Sequence, residues 1–136
     1  MKDIYIHGFM KKLLFTLVFA FLAIQFNSCC KGGSGGDATL VCTIYHHAKL
    51  IPGATVYIKY NAKEFPGESP GSYDNHVTAT PTGTTVTFTG LHCGDYYLYG
   101  VGYDSAISLP VTGGLHFSIS YSDRKKQVST NVAVTE

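Results

Sequence analysis

The chain has 136 residues, 45% of them apolar and 14% charged, with fifteen glycines and no tryptophan. That length holds one domain. Ten basic side chains stand against nine acidic ones, and the single short basic run, Arg124-Lys125-Lys126, lacks the concentrated positive face that a phosphate lattice requires, so no nucleic-acid partner is expected.

The first segment with a definite physical reading is Lys11-Lys12 followed by Leu13 to Ile24, a basic pair joined to an apolar run of twelve residues. About twenty apolar residues are needed to span a bilayer as a helix, and no polar face recurs here at helical spacing. The segment reads as an export signal. Met10 heads it, which makes Met10 a possible true start and leaves Met1 to Phe9 without a structural role. From Cys29 onward seven basic residues face eight acids, so the slight positive balance of the whole chain belongs to the signal.

After the apolar run comes Gln25-Phe26-Asn27-Ser28-Cys29-Cys30. A small residue directly before a cysteine at this place resembles the lipobox of bacterial lipoproteins, in the relaxed form of Bacteroidota-type signals. The resemblance implies cleavage after Ser28, a diacylglycerol thioether and an acylated amino group on Cys29, with Cys30 as the alternative. Two or three acyl chains, at about 0.8 kcal/mol per buried methylene, hold a domain on a membrane without a spanning helix. Residues 1–28 are thus expected to be the signal peptide, and 29–38 the lipidated cysteine with a tether. In Lys31-Gly32-Gly33-Ser34-Gly35-Gly36 little packs or restrains the backbone, so disorder is expected there.

Residues 39–136 carry short alternating runs divided by turn residues, with no helical periodicity. Thr39 to His46 alternates Leu40, Cys42 and Ile44 with Val41, Thr43 and Tyr45. Pro52-Gly53 leads into Ala54 to Tyr60, rich in β-branched and aromatic residues. Pro66-Gly67 and Pro70-Gly71 bracket a loop, and Pro81-Thr82-Gly83 divides Tyr73 to Thr80 from Thr84 to Thr89. Tyr96 to Tyr103, Ile107 to Thr112, Leu115 to Tyr121 and Gln127 to Val134 follow, with Gly113-Gly114 joining the sixth and seventh runs. Seven or eight short strands at this spacing predict an all-β, Ig-like sandwich.

Ile51-Pro52-Gly53-Ala54-Thr55-Val56 and Gly90-Leu91-His92-Cys93-Gly94-Asp95-Tyr96-Tyr97-Leu98 resemble the "xPGAxV … GLxxGxY" pattern of carboxypeptidase-regulatory-like and collagen-adhesin B-type domains. These share a transthyretin-like seven-stranded sandwich. In that setting Gly53 permits a tight turn, Leu91 plugs one end of the core, Gly94 takes positive φ, and Tyr96 opens its strand in the manner of a tyrosine corner. The internal Lys–Asn bond of some such domains is not expected. The first strand has no lysine and Gly100 has no carboxylate neighbour, although Asn131 lies on the last strand. The resembling fold also places Cys42 and Cys93 near the starts of neighbouring strands, implying a Cys42–Cys93 disulfide in an oxidising compartment. Two buried thiols are the alternative.

His46, His47 and His92, with Cys93, are weak candidates for a zinc or copper site. Adjacent strand residues point to opposite faces, and no HxH or CxxC spacing pre-arranges them. His92-Cys93-Gly94-Asp95 holds the letters of a hydrolytic site without a nucleophile elbow, and Gly32 to Gly36 precede no strand–helix unit that would cradle phosphate. No catalysis and no cofactor are expected. Tyr97, Tyr99 and Tyr103 share one strand face opposite Tyr96 and Leu98, and Phe65, Tyr73 and Asp74 lie in a long mixed loop. These six are the candidate binding residues, suited to sugar stacking or to anchoring a protein.

The expectation is a non-catalytic envelope lipoprotein, held through a lipid anchor at the outer membrane or cell surface. It acts as a binding or assembly module for a protein partner, or alternatively as a carbohydrate-binding accessory of a glycan-uptake system. Only Asp37 follows the cysteines where surface export favours an acidic cluster, so the periplasmic and outer faces both stay open.

Overall fold

The computed structural model describes residues 30–136. The signal segment 1–28, Met10 and Cys29 lie outside the described residues. Within them the chain forms β1 (Ser34–His46), β2 (Lys49–Leu50), β3 (Thr55–Tyr60), β4 (Asn75–Thr78), β5 (Thr85–Leu91), β6 (Gly94–Asp104), β7 (Leu109–Ile119) and β8 (Gln127–Val134). Two single 3₁₀ turns, Pro70–Ser72 and Tyr121–Asp123, sit between strands. No helix among the described residues is long and apolar enough to cross a membrane.

The strands make two four-stranded sheets. In one, β1 pairs antiparallel with β2 and β5 and parallel with β8; the other runs β4-β3-β6-β7, antiparallel throughout. The period-two pattern explains the layering. Ala38, Leu40, Cys42 and Ile44 of β1 point inward with Val86 and Phe88 of β5 and Val132 and Val134 of β8. They meet Val56 and Ile58 of β3, Tyr96 and Leu98 of β6, and Val111 and Ile119 of β7. Each fully buried side chain of this size is worth roughly 1.5–3 kcal/mol relative to exposure. The fold is the all-β sandwich that the alternation predicts.

Three expectations change. The tether does not begin as a separate segment. β1 already starts at Ser34, opposite Leu91, and the Gly33 carbonyl accepts from the His92 amide at 2.9 Å. Close approach is the reason. Gly94 sits at φ +137°, and a Cβ there would run into the backbone of Gly32; a Cβ on Gly32 or Gly36 would likewise meet the Asp95 or Leu91 carbonyl, so these two linker glycines are packing residues.

Gly113-Gly114 is not a turn either. Leu109 to Ile119 is one strand, and the chain reverses earlier, through residues 105–108 with Ser108 at φ +57°. Gly113 faces Gly100 across β6–β7, and the gap is taken by Val132 and Val134 of β8, whose methyls lie against Gly100. Beside it, Thr112 and Thr135 exchange two backbone hydrogen bonds of 2.8 Å, joining the sheets at that corner. A Cβ on Gly113 would overlap the Ala133 carbonyl oxygen. Gly113→Ala should therefore lower unfolding free energy by about 1–3 kcal/mol in urea titration. Gly71→Ala, where only Ser69 Oγ comes within 4 Å at 3.9 Å, should stay within about 0.5 kcal/mol. Equal midpoints for the two variants would refute the corner's role.

The third change concerns the cysteines. Cys93 bonds to Cys30, with Cα atoms 5.0 Å apart, and Cys42 is a free buried thiol. Cys42 alternates inward with Leu40 and Ile44 at 0% exposure, so it belongs to the core between the sheets. Cys93 lies in the β5–β6 turn at one end of the sandwich. Burial pushes the Cys42 thiol up to about 12, which keeps it protonated and inert.

Candidate functional site

The outer face of the β4-β3-β6-β7 sheet carries the aromatic residues that strand parity assigns to it. Tyr97 and Tyr99 of β6 lie there beside Tyr57 of β3, with Lys59 opposite Tyr97 and Tyr57 opposite Tyr99 in register. The loop between β3 and β4 folds back over them. Phe65 lies against Tyr99 and Tyr97, with centroids 5.3 and 5.8 Å away, and Tyr73 stacks on Tyr99 at 5.8 Å and 12°. Tyr57 continues the row, touching Tyr73 at 5.6 Å and His76 at 5.4 Å. Offset and tilted ring pairs at these separations add about 0.5–1.5 kcal/mol each beyond area burial.

The band is thus largely satisfied within the chain. Tyr99 retains 5% of its surface, whereas Phe65, the outermost ring, retains 48%. Burial pushes the Tyr73 hydroxyl up to about 12, and that hydroxyl donates to the Gly67 carbonyl at 2.8 Å. The Asp74 carboxylate accepts from the Tyr60 amide at 2.6 Å and from Lys59 Nζ at 3.0 Å, which fastens the loop to the end of β3. Of the six candidate binding residues the structure joins Phe65, Tyr73, Tyr97 and Tyr99, gives Asp74 a bracing role, and sets Tyr103 apart. Tyr103 stands 55% exposed where the β6–β7 hairpin turns, opposite Pro110.

The histidines separate by position. His92 is exposed in the β5–β6 turn beside Cys93, at the end where β1 begins, while His46 closes the far end of β1. The proposed grouping of His46, His47 and His92 with Cys93 is not formed: a long strand separates the members, and Cys93 is in a disulfide. His116 is engaged elsewhere, donating to Asp95 at 2.8 Å with Lys63 nearby at 3.4 Å.

At the far end a different cluster is built. His46 has core parity on β1 and is 3% exposed. Its Nδ1 donates to Asp104 Oδ2 at 2.9 Å and its Nε2 donates to Glu136 Oε2 at 2.6 Å, so both ring nitrogens carry protons in this arrangement. Asp104, 4% exposed at the end of β6, also accepts from Lys49 Nζ and from the Ala106 amide, each at 2.8 Å. Hydrogen bonding to Asp104 first, then to Glu136, holds the His46 imidazolium above its ordinary range against the opposing effect of burial. The bonds from His46, then Lys49 and Ala106, hold the Asp104 carboxyl well below the usual carboxylate range. Every buried side-chain polar atom among the described residues has a partner.

His47 completes the cluster by an unusual backbone. It occupies the two-residue turn between β1 and β2, at φ +52°, and its ring lies 4.4 Å from that of His46. Opposite-face reasoning for adjacent strand residues fails here because His47 has left the strand. Asp104, Lys49 and Glu136 are absent from the sequence reading of candidate sites. The usable signal was Asp104, a carboxylate on the inward parity of a strand whose other inward members are Tyr96, Leu98, Gly100 and Gly102. Such a charge must be paired.

Compared with protein-family models, curated proteins and solved structures, the chain matches none of them.

Proposed function

We propose that the chain is a non-catalytic envelope lipoprotein, exported by the Lys11 to Ile24 signal and anchored at the outer membrane through an acylated Cys29. It would serve as a binding or assembly module that meets a protein partner with the end of the sandwich farthest from the anchor. The observation that carries this reading is the polarity of the domain. Cys30, next to the proposed acylation site, is fixed to the β5–β6 turn. Eleven residues of β6 then run to the opposite end, a span of about 33 Å at the usual rise per residue.

That opposite end exposes an apolar hairpin beside the His46 ionic group. Tyr103, Ile107 and Leu109 of the β6–β7 hairpin retain 55, 45 and 45% of their surface, and exposed Pro110 faces Tyr103. Large apolar side chains exposed along one hairpin, at the end away from the proposed anchor, are suited to a protein interface. Involvement of Cys30 in the disulfide supports Cys29 over Cys30 as the lipid carrier. The glycan alternative is weaker on physical grounds, because the ring faces a sugar would need on Tyr99 are covered by Phe65 and Tyr73.

A photo-reactive residue at Ile107 in the lipidated protein, irradiated in intact envelopes, should give one reproducible protein adduct. The same residue at exposed Thr87 on β5 should give none. Tyr103→Ser, Ile107→Ser and Leu109→Ser combined should lower capture from a neighbouring reporter at Ser105 by about tenfold or more, about 1.4 kcal/mol, while the melting temperature holds. Equal adducts from Ile107 and Thr87, or none from either, would refute the reading.

A further inference from the structure

We propose that His46, His47 and Glu136 form a binding site for one borderline divalent transition-metal ion of the zinc class, with Asp104 orienting His46 from behind. Ligand atoms of the three residues all lie within 4.8 Å of one another. Tetrahedral zinc, with metal–ligand distances of about 2.0–2.1 Å, draws its ligand atoms to about 3.4 Å apart. His47 and Glu136 are both exposed, so their side chains are free to close that difference around the buried His46. Two imidazoles and a carboxylate are borderline donors, suited to zinc, copper or nickel rather than to calcium or magnesium.

Two features distinguish this group from chance proximity. The first lies behind the ligand: His46 Nδ1 donates to Asp104 Oδ2, which is itself held by Lys49 and the Ala106 amide. A carboxylate on the remote ring nitrogen fixes the ring and directs Nε2 outward, as in carboxylate–histidine–metal arrangements. The second is the backbone at His47. A side chain at φ +52° in a two-residue hairpin turn is disfavoured by roughly 1–2 kcal/mol, and glycine or asparagine ordinarily fills such a place. Histidine there brings a second imidazole beside the first, which the strand alone would have sent to the other face.

In the metal-free state a proton occupies the line between His46 Nε2 and Glu136 Oε2. Binding breaks that Nε2–H bond, forms a metal–nitrogen bond, and releases the proton to solvent. Glu136 exchanges its role as hydrogen-bond acceptor for that of an anionic ligand, and His47 binds through a neutral ring nitrogen. Three protein ligands leave a fourth tetrahedral position for water or another donor.

Isothermal titration of the full chain, without a histidine tag, with zinc chloride is the test. One ion should bind per chain. His47→Ala and Glu136→Gln should each weaken binding by about tenfold or more, with the domain still cooperatively folded in the metal-free state. His76→Ala, His92→Ala and His116→Ala should bind as the unmodified chain does. Both informative substitutions are at exposed positions, so the outcome does not depend on removing buried His46. Cobalt in place of zinc should give the visible absorption of a four-coordinate ion, lost in the same two variants. Absence of saturable heat at about 1 mM zinc, or undiminished binding by His47→Ala and Glu136→Gln, would overturn the proposal.

Discussion

Cys93→Ser should destabilise the folded domain by about 4 kcal/mol, the largest single loss expected from any change outside the core. The bond closes a stretch with a sequence separation of 63, and releasing a loop of that size restores about 14 cal/mol/K of chain entropy to the unfolded state. For a domain of this size the melting temperature should fall by roughly 15–30 °C. A reductant should do the same to the unmodified chain and nothing further to Cys93→Ser. Cys42→Ser should remain sensitive to reductant, because its thiol takes no part in the bond. Alkylation under native conditions should label none of Cys30, Cys42 and Cys93 in the oxidised protein, the first and last because they are bonded and Cys42 because it is buried with a pKa raised to about 12. Labelling of Cys30 and Cys93 in the oxidised preparation, or a melting temperature indifferent to reductant, would refute the assignment.

Local pattern made the architecture legible. Inward alternation along β1, β3, β5 and β6 follows the apolar period, and the turn at Gly53 and the plug at Leu91 fall where the motif places them: Gly53 has φ +67° and Leu91 is 2% exposed. Composition misled where glycine has two physical meanings. Gly113 and Gly114 lie in mid-strand because a neighbouring strand presses on them, and Gly32 and Gly36 pack because the backbone around the β5–β6 turn does. Neither pressure leaves a mark in the adjacent residues. The disulfide was hidden for a related reason. Cys42 and Cys93 both belong to the recognisable domain, whereas Cys30 stood among residues read as anchor and linker, and only the return of residues 30–36 onto the β5–β6 turn brings it to Cys93.

The cluster at the far end was legible in part. His46 and His47 could be named from their chemistry, but the strand rule that sends neighbours apart hides the left-handed turn at His47. Lys49, Asp104 and Glu136 come from three other places in the chain and share no spacing. The fold gathers them because β1 pairs with β2 and β8, and the end of β6 in the other sheet places Asp104 against His46. The two ends consequently differ in kind. One carries the disulfide, Lys31 and exposed His92; the other carries a buried, fully partnered ionic group bordered by the apolar hairpin.

Tyr96→Ala should cost about 4 kcal/mol, in the range found for removing a buried aromatic ring, and Tyr96→Phe about 1–2 kcal/mol. The ring is 0% exposed at the start of β6 and meets Tyr60 edge-on at 5.9 Å. Its hydroxyl donates to the His92 carbonyl four residues back at 2.6 Å and accepts from the Gly33 amide at 3.0 Å. This is the corner expected of a tyrosine opening a strand, and here it also reaches the segment that leads from Cys30. Phenylalanine keeps the packing and leaves the Gly33 N–H without its acceptor, so amide exchange at Gly33 should accelerate while exchange in the middle of β6 follows global stability alone. Tyr96 and the Cys30–Cys93 bond hold the same few residues, so their losses should not add. The double variant Tyr96→Phe with Cys93→Ser should depart from the sum of the single effects by about 0.5–3 kcal/mol. Strict additivity in urea unfolding would mean that the corner and the disulfide stabilise separate parts of the molecule.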